Sequence, residues 1–91
     1  METDYITLNI AISKKTMTHL LGGLAEKYRA LDIYSDIQRP IKVEIENLIQ
    51  YILRQMHRRG IDIMQPRSPF NTYAKLIEFK PDLYDKDQLA K

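Results

Sequence analysis

Residues 5–13 read YITLNIAIS and alternate in character at nearly every step. Ile6, Leu8, Ile10 and Ile12 fall on one side of an extended chain, and Tyr5, Thr7, Asn9 and Ala11 fall on the other. A period of two with isoleucine and threonine is the pattern of a half-buried strand, because successive side chains leave opposite faces of the pleat. The sequence therefore predicts a strand over about 4–12. A single strand has two unpaired edges, and its amides and carbonyls need partners. Whatever this chain folds into must answer that demand.

The residues that follow read mainly as helix. Ser13 stands where a helix N-cap would, and Met17, Leu20, Leu21, Leu24, Tyr28 and Leu31 form one stripe at helical spacing. This predicts a first helix over about 14–31, with Gly22 and Gly23 lowering its intrinsic propensity. Those glycines allow either a close approach or a kink. LLGGLAEK lacks the Gly-Lys-Ser/Thr ending of a phosphate-cradling loop. DIYSDIQR, residues 32–39, is a connection with a capping box from Ser35 to Gln38.

Pro40 suits the first position of a second helix, expected over about 40–58. Its stripe is Ile41, Ile45, Leu48, Ile49, Ile52 and Met56, with Leu53 beside it, and Gly60 is its natural stop after the basic HRR. A rival reading exists, since IKVEIE alternates as a strand would. The alternative fold is a small α+β domain with strands near 5–12, 41–46 and 61–64. Ser68 and Pro69 open a short third helix near 69–79, closed by Pro81.

Ninety-one residues make one compact unit at most, and a chain this short buries a limited share of its surface, which favours association with a second copy. Two antiparallel copies of the ribbon pair each other and lay Ile6, Leu8, Ile10 and Ile12 over four helices. The expected fold is therefore mainly α with one N-terminal strand: a homodimer whose intermolecular two-stranded ribbon covers four helices. Its core also takes Leu48, Ile49 and Ile52. Residues 1–60 form the dimerisation unit, and 61–91 an accessory segment with the short helix.

On YITLNIAISKKTMTHL and IENLIQYIL the sequence resembles the ribbon-helix-helix family of DNA-binding dimers over about residues 4–58. In that family the ribbon enters the major groove and its outward side chains read bases. The resemblance implies base reading by Thr7 and Asn9, completed by Tyr5 or Ala11, and phosphate contact at Arg39, Ile41 and Lys42. Two departures stand out: DIYSDIQR is longer than the usual turn, and Ala11 replaces a polar reader.

Charge placement adds to this reading independently. Residues 1–60 carry nine Lys/Arg against seven Asp/Glu, and residues 61–91 carry five of each, so the whole excess of +2 lies in the first sixty. Lys14 and Lys15 sit in the first turn of the first helix, where a bound phosphate would turn an unfavourable dipole interaction into a favourable one. Asn9 has the carboxamide that pairs with adenine.

Catalytic and metal chemistry find little footing. His19 and His57 stand alone, Glu44 and Glu46 diverge on a helix, and Ser13, Ser35 and Ser68 serve as caps. The absence of cysteine removes disulfides and thiolate sites, and no apolar run approaches a bilayer's thickness. The expectation is a soluble cytoplasmic protein that is not an enzyme and uses no cofactor or metal. It would bind double-stranded DNA as a homodimeric transcriptional repressor. The alternatives are an antitoxin-type autoregulator with a protein partner on 61–91, and a phage-type or adaptor protein that binds no nucleic acid.

Overall fold

The computed structural model describes residue 6 and residues 8–80. Ser13 opens the first helix as expected: its Oγ accepts from the amide of Thr16 at 3.1 Å and satisfies one of the orphan donors of the first turn. Helix α1 spans Lys14–Ala30 and runs unbroken through both glycines. Gly22 leaves room for a neighbour. A Cβ there would lie 3.4 Å from the Tyr73 hydroxyl, which itself donates to the Thr18 carbonyl.

The connection to the second helix is tied by side chains. Ser35 Oγ accepts from the amide of Gln38, but the Gln38 carboxamide reaches past Ser35 to the amide of Asp32 at 2.8 Å. The capping box is thus half made, and its second arm closes the whole turn. Helix α2 spans Gln38–Arg58. It ends on Gly60, whose φ of 83° lets Ile61 donate back to the Met56 carbonyl while Gly60 donates to that of His57. Those two bonds make a left-handed helix stop that glycine adopts without penalty.

Residues 61–70 form an irregular link. Asp62 Oδ1 accepts from the amides of Met64 and Gln65, and Ile63 is fully buried. Helix α3 spans Asn71–Ile77, starting two residues after Pro69; Ser68 Oγ accepts from the amide of Phe70 and starts the turn before the helix. Leu21, Ile49, Leu53, Met56, Ile63, Phe70, Ala74, Ile77 and Phe79 share one core. Fully burying a leucine, isoleucine or phenylalanine contributes about 1.5–3 kcal/mol. The described part of the accessory segment therefore packs into the centre of the molecule, with Ile63, Phe70, Ala74, Ile77 and Phe79 all drawn from it.

The expected ribbon is not present among the described residues. The described residues form three helices and no strand, so neither the two-stranded ribbon over four helices nor the α+β alternative describes the fold. Residues 41–46 lie inside α2, where Ile41 and Ile45 follow the helical period and Val43 projects outward at 43% exposure. Residues 61–64 are occupied by the helix stop and the Asp62 turn. Alternation is a signal of half burial only when another strand offers an edge, and no strand exists among the described residues to offer one.

The ribbon's apolar side accordingly points to solvent. Ile6, Leu8 and Ile10 are 86%, 71% and 66% exposed, and only Ile12 is half-buried. Of the other side chains assigned to a dimer core, Ile49 is buried within its own chain, Ile52 is half-buried and Leu48 is exposed. No helix among the described residues is long and apolar enough to cross a membrane.

Candidate nucleic-acid interface

Helices α1 and α2 are antiparallel, so the hairpin has two ends. At one end, the carboxyl terminus of α1 meets the beginning of α2. Lys42 Nζ donates to the carbonyls of Tyr28 and Leu31 at 3.0 and 3.1 Å, and the ammonium stands 4.3 Å from the centre of the Tyr28 ring. Orphan carbonyls and the negative end of the helix dipole both favour a cation there. Tyr28 Oη donates to Glu46 Oε1 at 3.1 Å. Burial raises the Tyr28 pKa, and the hydrogen bond to the Glu46 carboxylate and its charge add to that shift.

Arg39 is at the same end, with its guanidinium 2.6 Å from Asp36 Oδ1. Ile41 is exposed nearby in sequence. Of the residues expected on phosphate, then, Lys42 closes α1 and Arg39 is paired with a neighbouring carboxylate.

Lys14 and Lys15 lie at the opposite end. The seventeen residues of α1 separate the two sets by about 25 Å, at 1.5 Å per residue. The five expected phosphate contacts therefore do not converge.

What does converge on Lys14 and Lys15 is a cleft between the start of α1, the end of α2 and the link to α3. Arg59 and Arg67 line it together with the two lysines, and so do Thr18 and Ser68. Asp62 is the carboxylate on its wall, and its Oδ1 is engaged by two backbone amides. Arg59 is held by its own helix, donating from Nη1 to the Gln55 carbonyl and to Gln55 Oε1 at 3.2 and 2.9 Å. The arrangement is a concentration of positive charge around a helix amino terminus, suited to phosphate oxygens.

The sequence points to three of the four cations of this cleft. Lys14 and Lys15 are legible from the helix start, and Arg59 from the basic run HRR, whose other role as a partner of the helix dipole it also fills. Arg67 carries no signal, since it belongs to an irregular link whose path only the packing of Ile63 and Phe70 defines.

Of the expected base readers, Tyr5 and Thr7 lie outside the described residues. Asn9 and Ala11 are exposed on a segment with no strand partner. His57 packs edge-on against Phe79 with ring centres 6.1 Å apart. Among the described residues, no group of three His, Asp or Glu side chains is placed to hold a metal ion.

Comparison with known proteins produced no match to a protein family, to a curated protein or to a solved structure.

Proposed function

We propose that this protein binds double-stranded DNA through phosphate contacts at the basic end of its helix hairpin and acts in the cytoplasm as a small transcriptional regulator. The supporting observation is the cleft itself: Lys14, Lys15, Arg59 and Arg67 meet around the start of α1 on a wall whose carboxylate is engaged by backbone amides. Each phosphate neutralised there releases condensed counterions, which favours binding at low salt. Asn9, exposed five residues before Lys14, is the side chain in this proposal that contacts a base edge.

The test is fluorescence anisotropy of a labelled duplex at several salt concentrations. Binding is expected to weaken as salt rises. A Lys15→Glu, Arg67→Glu variant should bind every duplex more weakly, with a salt slope shallower by about 0.9 for each phosphate it no longer neutralises. Asn9→Ala should reduce preference among sequences and leave the salt slope alone. Failure of the wild-type chain to bind any duplex at low salt overturns the proposal.

A further inference from the structure

A second recess adjoins the basic cleft. It lies between the segment before α1 and the last turns of α2, has a volume of about 350 Å³, and is walled by Ile10, Ile12, Met17, Ile52, Met56 and Ile61. Lys14 and Arg59 stand among its lining, and no carboxylate of the described residues does. Gln55 holds Arg59 in place, accepting from its Nη1 through the carbonyl and Oε1 at 3.2 and 2.9 Å. Both cations also line the basic cleft, so the two recesses share them.

These features select an occupant by size, flexibility and charge. The volume lies near the lower end of the roughly 300–1,000 Å³ of small-molecule sites. One turn of a partner helix, about 10 Å across and about 5.4 Å long, already exceeds it. Among the described residues Tyr51 is the one ring in the lining, and it is 50% exposed. The other apolar walls are isoleucine and methionine, which offer a planar ligand no face to stack on. Methionine adapts to a flexible chain instead. Two cations without an opposing carboxylate then favour an anionic head on that chain.

We infer that this recess binds one molecule of a free alkyl carboxylate, of the medium-chain fatty acid class, with its chain against the isoleucine and methionine walls and its carboxylate on Lys14 and Arg59. The chain leaves water, and the head group meets the two cations. A carboxylate bound there competes with phosphate for Lys14 and Arg59, which makes the fatty acid an effector that releases DNA. That consequence rests on the DNA-binding proposal; the binding of the carboxylate does not.

The experiment titrates the full-length chain, without DNA, with hexanoate, octanoate and decanoate, each below its micelle concentration, by calorimetry and by the methyl resonances of isoleucine and methionine. One molecule is expected to bind per chain, tightening about three- to fourfold for each methylene buried. The methyls of Ile10, Ile12, Met17, Ile52 and Met56 are expected to shift, and those of the core residues Ile63 and Ile77 to stay. Neutral octan-1-ol should bind about three- to tenfold more weakly than octanoate, and Lys14→Ala, Arg59→Ala should remove that difference. Ile10 is exposed and outside the core, so Ile10→Asp places a carboxylate in the lining of a folded chain and should weaken octanoate more than octan-1-ol. Decanoate should displace a labelled duplex from the wild type.

Recess methyls that do not respond, or an affinity that is the same for all three chain lengths, overturn the inference. Several molecules bound per chain, as for a detergent, overturn it as well. So does a response of the same methyls to anionic phospholipid vesicles alone, which would place this face on a membrane. Decanoate that binds and leaves duplex affinity unchanged puts the head group elsewhere than Lys14 and Arg59 and overturns the site. Saturable, length-dependent binding by a chain that binds no duplex supports the carboxylate site and overturns the DNA reading.

Discussion

Lys42 places its ammonium 4.3 Å above the Tyr28 ring and donates to the Tyr28 carbonyl at 3.0 Å, so one side chain of α2 holds both the ring and the backbone of the last turn of α1. From sequence, Lys42 and Arg39 read as a phosphate-binding pair at a helix amino terminus. The pair is divided by the partners each finds: Lys42 is half-buried on two carbonyls and a ring, and Arg39 is exposed beside Asp36.

Replacing Lys42 by alanine should therefore act on stability. It removes two charge-assisted hydrogen bonds from a half-buried site and leaves the last carbonyls of α1 without their ammonium donor, a loss of about 1–3 kcal/mol. Thermal and urea unfolding measure it. Duplex affinity of the folded variant, read at low temperature, should match the wild type; a selective loss of affinity with unchanged stability would return Lys42 to the binding surface.

Tyr28 links the same contact to alkaline pH. Its folded pKa is raised above the ordinary phenol value, first by burial and then by Glu46. The fold therefore favours the protonated phenol. The contact's contribution is fully present below the unfolded value of about 10 and is lost as pH rises through the higher folded value. The melting-temperature gap between the wild type and Tyr28→Phe should stay constant from neutral pH to about pH 9 and narrow above about pH 10. A gap that does not change across that window contradicts this assignment.

Glu78 ends α3 in the left-handed region, at φ 55° and ψ 60°, and lets Phe79 donate back to the Ala74 carbonyl at 3.0 Å. A residue with a Cβ is disfavoured there by about 1–2 kcal/mol, a penalty glycine escapes. Glu78 is exposed, so its side chain contributes little packing. Glu78→Gly should raise the melting temperature, with a gain of up to about 1 kcal/mol in chemical denaturation; a loss of stability would show that the Glu78 side chain holds more than its backbone geometry implies.

Local chemistry made much of this fold readable. Ser13 as a cap, the stripe from Met17 to Leu31, Pro40 within the first turn of α2 and Gly60 at its stop all depend on residues within a turn or two of one another. The boundaries of α1 and α2 follow within about two residues, as local hydrogen bonding requires. The third helix is legible from Ser68 and Pro69, although it begins only at Asn71.

The arrangement of those pieces was not legible, and the reason is the same at each place. The stripe of α2 reads as one face, yet Ile49, Leu53 and Met56 are buried while Ile41 and Leu48 remain 41% and 44% exposed. A periodic pattern says which side chains share a side of a helix, and not how much of that side a neighbour will cover. YITLNIAIS likewise states a need for a strand partner that no other described segment meets. The sequence by itself determined the three helices, the Ser13 cap, the Gly60 stop and the clustering of charge along the chain, because these are set by near neighbours; the observed N-caps of α2 and α3, Ile37 and Phe70, make no side-chain cap bond and were not legible. Only tertiary packing decided that residues 63–79 complete the core, that Lys42 serves the fold, and that Arg59 and Arg67 join Lys14 and Lys15. Those outcomes depend on contacts between residues far apart in the chain, where burial and charge pairing act across the turns that bring them together.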